Sequence, residues 1–412
     1  MFIYEFFSTI LFIILLPVYY LVRVCNGKFL YGWKEKLGLF KSPNLGDKVI
    51  MYHGVSVGEV IALENIIKKT RNEFPEYKLV VTTGTKTGQE IAQKKFKDIA
   101  DYITYFPFDI SFCVKQFLKK VSPSVVLIAE TEIWPTFAYE CKKNNIKLYT
   151  INGRLSDSTF SLYKKFKFFF KQILSNYTAI LTQSQEDNEK FICIGASKTT
   201  TQVMKNLKFD VKKSAEIVDM EKGNSRLIIA GSTHKGEDEI VLDVFKALKV
   251  KFQDIKLLLV PRHPHRVPDV KELIKMIGMN FGTRSNKDTF KNNEIIILDT
   301  MGELGKMYSI CDFAFIGGSF NKTGGHNPLE ACVYGKPVVS GPSIHNFKDI
   351  YGILSKSKAG KIVKTPQELK DYMELLLGDS EFYKQACNDC EYVFEDQKGA
   401  LDTVIAELKH IL

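Results

Sequence analysis

The stretch 315-FIGGSFNKTGGHNPLEACVYGKP-337 sets an apolar run against two glycine pairs, a His-Asn-Pro and a helical pattern that stops at a glycine. This order reads as the end of a buried strand, a bare loop, a short helix and the approach to another strand, the unit from which parallel sheets are built. Asn327 is a good helix N-cap, Pro328 suits the first turn, and Gly335 suits the stop. Gly324 and Gly325 would let a ligand approach the amides that begin the helix, where the peptide dipoles favour a phosphate, and Glu330 would reach ribose hydroxyls. The same residues also suit a tight turn with a capped helix and a solvated glutamate.

Working outward, short β-rich runs alternate with helical segments: KVIMY (48–52), KLVVTTG (78–84), YITYFP (102–107), SVVLIAE (124–130), KLYTING (147–153) and YTAILTQS (177–184). A charged segment without strong periodicity, 211–225, precedes a second series: RLIIAGS, IKLLLVPRH, EIIILDT, FAFIGGS and PVVSGP. The spacing predicts an α/β protein with two Rossmann-like, doubly wound domains over 25–210 and 226–412, joined by the linker 211–225. Two such domains make a cleft at the carboxyl ends of their strands, where open α/β sheets bind ligands. His53, Glu59, Glu130, Arg154, Ser232, Arg262, His263, Gly317, Gly318 and Gly341 all follow predicted strands directly.

In the second half, VPRHPHR ends a strand with Arg262 and His263, both suited to an anionic group, and DTMGEL puts Met301, Gly302 and Glu303 at another strand-to-helix corner. Together with the glycine-rich loop they describe a nucleotide pocket. The first half offers carboxylates. Ser56 and Glu59 of HGVSVGEV have the spacing of a capping box, yet Gly58 leaves room for Glu59 to serve as a general base. AETEIWP adds Glu130 and Glu132, and NLKFD adds Lys208, a cation suited to stabilising a departing phosphate.

With 412 residues, 45% hydrophobic and 25% charged, the chain can bury a large core and is not disordered. Its formal charge of +10 favours anionic partners. Residues 6–22 are apolar except Ser8 and Thr9, would span about 26 Å as a helix, and are followed rather than preceded by Arg23, Lys28, Lys34 and Lys36. A membrane anchor over 1–24 is expected, with the rest of the chain on the cytoplasmic side. Lysines alternating with aromatics in FSLYKKFKFFFKQ (160–172) fit an anionic lipid surface, half of the aromatics being buried. The eight cysteines lack a zinc spacing and read as reduced thiols, and Walker, HExxH and GxGxxG motifs are absent.

HGVSVGE, AETEIWP, NGRLS, NLKFD, AGSTHKGED, PRHPHR, DTMGEL and GGSFNKTGGHNPLE, in this order, resemble the signature segments of 3-deoxy-D-manno-octulosonic acid (Kdo) transferases. The resemblance covers nearly the whole chain. It implies a GT-B glycosyltransferase moving Kdo from CMP-Kdo to a 6′-hydroxyl of a tetraacylated lipid A precursor at the bacterial inner membrane. It further implies Glu59 as base, Glu130 and Lys208 in transition-state stabilisation, and Arg262, His263, Met301, Gly302, Glu303, Asn327, Pro328, Leu329 and Glu330 at the CMP. No metal, cofactor or nucleic acid is expected. The alternatives are another GT-B enzyme, a glycosyltransferase or epimerase using a UDP-sugar, and, in a different class, a membrane-anchored basic RNA-binding protein.

Overall fold

The run VIMYHG, strand β1 (Val49–Gly54), is buried at every position. A strand buried on both faces needs no alternation of polar residues, and this is the signature of a parallel sheet covered by helices on both sides. Ile50 and Tyr52 enter one apolar cluster, while Val49 and Met51 enter another on the opposite face. The computed structural model describes Tyr4, Thr9, Ile10, Ile14, Leu15, Pro17 and residues 31–412. The anchor expected over 1–24 lies almost wholly outside the described residues, and among the described residues no helix is long and apolar enough to cross a membrane.

The chain forms two compact units, one of Met1–Asp210 with Lys398–Leu412, the other of Val211–Gln397. The first holds a seven-stranded sheet of β1, β2 (Lys78–Thr83), β3 (Tyr102–Tyr105), β4 (Val125–Ala129), β5 (Lys147–Gly153), β6 (Ala179–Thr182) and β7 (Thr201–Val203). Its order is β3-β2-β1-β4-β5-β6-β7, and every pairing is parallel. The second holds β8 (Arg226–Thr233), β9 (Ile255–Pro261), β10 (Phe281–Thr283), β11 (Ile295–Ile297), β12 (Phe313–Ile316), β13 (Val338–Ser340) and β14 (Gly360–Ile362). They run β10-β11-β9-β8-β12-β13-β14, again all parallel. The direction of winding reverses between β1 and β4 in one sheet and between β8 and β12 in the other. Loops leaving neighbouring strands part there, which makes these two points the natural crevices for ligands.

Two boundaries differ from those expected. The segment 211–225 belongs to the second unit rather than standing between domains, and the helix Ala400–Ile411, expected with the C-terminal domain, returns to the first. Ala400, Leu401, Val404, Ile405 and Leu408 lie on one stripe of that helix and pack into the cluster containing Ile50, Tyr52 and Leu79. Its N-cap is Gly399, which has no side chain to satisfy the first amides. Asp210 supplies the cap, its carboxylate accepting from the amides of Gly399 at 2.8 Å and Leu401 at 2.6 Å. Leu408 is 1% exposed. Leu408→Ala should therefore destabilise the first unit by about 2–5 kcal/mol, read as a lower urea midpoint of that unit's unfolding.

Candidate active site

Glu59 sits in the first turn of the helix Val57–Ala62, just beyond β1. The N-cap is formed and the reciprocal bond comes one residue early: Ser56 Oγ accepts from the Glu59 amide at 3.4 Å and donates to Glu59 Oε1 at 2.8 Å, and the Val55 amide donates to Oε2 at 2.7 Å. These bonds fix the carboxylate at the exit of β1 and still leave each oxygen a lone pair. Just beyond the adjacent strand, β4, Glu130 adopts a left-handed backbone, φ 58°, and its amide donates to Ile151 O at 2.9 Å. Glu132 follows in the same loop. Its carboxyl is pushed up to about 7, first by burial and then by the charges of Glu59 and Glu130. Three carboxylates thus crowd the switch point of the first sheet. His53, by contrast, is a core residue. Its ring is fully buried and stacks on Phe106 at 3.9 Å. The Thr82 hydroxyl donates to Tyr52 O, so it accepts from His53 Nδ1–H at 3.0 Å.

Lys208 is held by neutral amides. It lies in the 3₁₀ turn Leu207–Phe209, capped by Asn206, whose Oδ1 accepts from the Lys208 amide at 3.0 Å. Asn206 Nδ2 donates to Gln183 Oε1, Gln183 Nε2 donates to Asn152 O, and the Leu207 amide donates to Asn152 Oδ1. Asn152 follows Ile151, the residue that receives the Glu130 amide. One stretch of β5 therefore positions both the Glu130 loop and the Lys208 turn.

In the second unit, the loop after β12 is built around Glu237, which is 1% exposed. Its carboxylate accepts from the amides of Gly318 at 2.6 Å, Ser319 at 2.7 Å, Phe320 at 2.8 Å and His234 at 2.9 Å. Beside it, buried Asp238 accepts from the Thr233 hydroxyl and pairs with Arg266. The glycines here have a different use from the one expected. A side chain on Gly324, φ 96°, would meet the ring of His345 at 2.3 Å, so the space beside it is filled by the protein itself. The amides of Gly325 and His326 donate to Gly318 O and Gly317 O. The helix that follows is the single turn Leu329–Cys332, too short to carry the dipole expected of it.

A cavity of about 280 Å³ opens nearby, lined by Gly302, Gly305, Lys306, Glu330, Val333 and Tyr334 together with Val211, Lys212, Ser214 and Glu216. Gly302 and Glu330 are thus brought together as expected, and part of the expected linker forms a wall. The Ser214 amide donates to the Tyr334 hydroxyl at 2.8 Å. Glu303 accepts hydrogen bonds from Arg284 and Thr300 and pairs with Lys306 at 3.2 Å. Burial opposes its ionisation, but these partners outweigh it and hold the carboxyl down to about 2. It is already satisfied within the protein. Burial pushes Glu330 up, with Asn327 and Arg262 opposing, which puts Arg262 in the same corner. Arg262 and His263 are exposed. Met301 is 73% exposed, whereas Leu329 is fully buried and its side chain packs inward. The sequence alone assigns no role to Glu237, Asp238, Arg266, His234 and His326, although AGSTHKGED contains three of them.

Two outcomes follow for stability. Glu237→Gln replaces an acceptor oxygen by an NH₂ aimed at amide donors, and should cost about 3–5 kcal/mol in thermal or urea unfolding. Glu132 binds its proton more tightly when folded, so between its ordinary value of 4.5 and about 7 the folded state holds more protons than the unfolded one. Its contribution therefore falls as pH rises through that window, and Glu132→Gln should remove that slope from a plot of stability against pH.

The family model for 3-deoxy-D-manno-octulosonic-acid transferase (kdotransferase) matches residues 31–211. A 3-deoxy-D-manno-octulosonic acid transferase of Haemophilus influenzae is 32% identical, covering 99% of this chain and 99% of its own. One of Rickettsia bellii is 31% identical, over 93% of this chain and 94% of its own. Among solved structures, the UDP-GlcNAc 2-epimerase of Neisseria meningitidis bound to UDP-GlcNAc is similar at a TM-score of 0.56 and 13% identity, over 88% of this chain and 99% of that one, a likeness of fold alone. With a full-length relative at this identity and the strand-end motifs assembled at both switch points, the chain belongs to the 3-deoxy-D-manno-octulosonic acid (Kdo) transferase family of glycosyltransferases.

Proposed function

We propose that the protein transfers Kdo from CMP-Kdo to the 6′-hydroxyl of a tetraacylated lipid A precursor, with inversion, and that Glu59 is the base. The observation that carries this reading is the crowding of Glu59, Glu130 and Glu132 at the switch point of the first sheet, in a chain that belongs to the Kdo transferase family. Glu59 takes the acceptor proton as the hydroxyl oxygen bonds to the anomeric C2. The C2–O bond to phosphate breaks, and CMP leaves with its electron pair. The Val55 and Ser56 hydrogen bonds keep the carboxylate oriented toward the exit of β1. Glu130 supports the positive charge developing on the sugar ring, and Lys208 the charge on the leaving phosphate. In the second unit Arg262, His263, Met301, Gly302, Glu303, Asn327, Pro328, Leu329 and Glu330 form the CMP site. Glu303 serves by orienting Lys306 and Arg284, and Leu329 by packing beneath the loop.

The acceptor is a lipid, so the protein works at the inner membrane. The helices Asp157–Lys165 and Lys167–Leu174 support this, because Leu162, Phe166 and Phe168 are exposed among Lys164, Lys165 and Lys167 while Phe170 and Ile173 are buried. Apolar side chains set among lysines suit a surface of anionic headgroups.

The test is transfer from freshly generated CMP-Kdo to the tetraacyl precursor in membranes, read by product mass, with CMP and UDP as competitors. Wild type should form product inhibited by CMP rather than UDP. Glu59→Gln should lose about 10²–10⁴ in rate with CMP binding intact. Equal rates would return Glu59 to its capping role alone, and inhibition by UDP would favour a UDP-sugar donor.

A further inference from the structure

Four histidines gather with Arg262 at the strand ends of the second unit. His234 and His263 meet edge to face at 5.5 Å, and His263 stacks on His265 at 5.5 Å. The closest pair is His234 and His326, whose rings lie parallel within 8° and whose Nε2 atoms are 2.9 Å apart. At that separation one Nε2 donates and the other accepts, so the tautomers of the two rings are tied together. Neither Nδ1 has a hydrogen-bond partner among the described residues. In the neutral pair, one Nδ1 is an N–H donor and the other a bare acceptor. A single added proton turns the bare Nδ1 into a second donor and leaves the Nε2–H···Nε2 bond intact. The pair then presents two N–H groups and one positive charge.

We propose that His234 and His326 are further donor-binding residues, which together take up one proton as the phosphodiester of the donor arrives and hold it as a two-pronged cation. This rests on the reading of the second unit as the CMP-Kdo site. The surroundings favour a pair that is neutral until an anion comes. Burial is the main force holding His326 down to about 4, with Arg262, His234 and His263 adding to it. His234 is lowered first by burial, Glu237 opposes, and His263, Arg266 and Arg262 reinforce. Glu237 attracts the proton only in part, its oxygens having no acceptor to spare beyond four amides, and Arg266 is paired with Asp238. The incoming phosphodiester supplies the missing negative charge.

The probe is cytidine 5′-(methyl phosphate), a diester with no proton of its own to exchange near neutrality. Its binding to the full-length protein would be followed calorimetrically from pH 6 to pH 8 in buffers of different ionisation enthalpy. Wild type should take up close to one proton, with affinity rising as pH falls by up to about tenfold per pH unit. His326→Asn and His234→Asn, each checked for an unchanged melting profile, should bind more weakly, without proton uptake and with a flat pH dependence. Two variants guard against one that fails to fold, since His326 packs against Gly318. Wild-type binding without proton uptake, or uptake that persists in both variants, would overturn the proposal and leave the donor site standing. No binding by wild type at any pH would overturn the donor site and the proposal with it.

Discussion

The second unit is organised by a buried carboxylate. Glu237 gives up its hydration only because four backbone amides replace it, three from the loop after β12 and one from the exit of β8. Charge-assisted bonds of this kind are short and about twice as strong as neutral ones, while each amide left unpaired would cost about 1–3 kcal/mol. The two loops that part at the switch point are thereby locked to each other. His326 can then sit against His234, Arg266 against Asp238, and the glycine-rich segment can close on itself through Gly317 and Gly318. A pocket held in this way spends little of any ligand's binding energy on ordering loops.

The first unit solves the complementary problem with neutral groups. Asn152, Gln183 and Asn206 hold the Lys208 turn by amide bonds that carry no net charge. The charge is concentrated instead in Glu59, Glu130 and Glu132, where it is costly. Like charges crowded beside one another destabilise the fold and raise a carboxyl's affinity for protons, an arrangement that belongs where protons are to be moved. Rigid neutral scaffolding around a strained charged cluster lets the cluster keep its geometry as it changes protonation.

How much of this was legible depends on range along the chain. The eleven strands quoted from the sequence are the long or strongly apolar ones. β7, β10 and β14 escaped because each is three residues long and lies at or near a sheet edge, with too few positions to show a pattern. The residues at the strand ends were visible, since parallel winding forces functional groups there. Their partners were not. Glu237 meets Ser319 across 82 residues, His234 meets His326 across 92, and Asp210 meets Leu401 across 191. Nothing local in the sequence marks such pairings. The bareness of Gly324 was read as room for a ligand because His345, which fills that room, lies on a different loop. The return of the helix Ala400–Ile411 to the first unit was hidden for the same reason, since an amphipathic stripe shows that a helix must pack without showing against what.

That return sets an order of events during synthesis. The first unit's core needs residues 398–412, yet all of 211–397 must be translated before they appear. At about 5–20 residues per second the delay is on the order of ten seconds or more. Through that interval the second unit is still being synthesised, and the first waits with the part of its core that the helix Ala400–Ile411 covers, beside the helix Glu64–Glu73 and the turn Leu207–Phe209, exposed. The unit that begins first is therefore the last to be completed, and the exposed patch is the surface a ribosome-associated chaperone would have to shield.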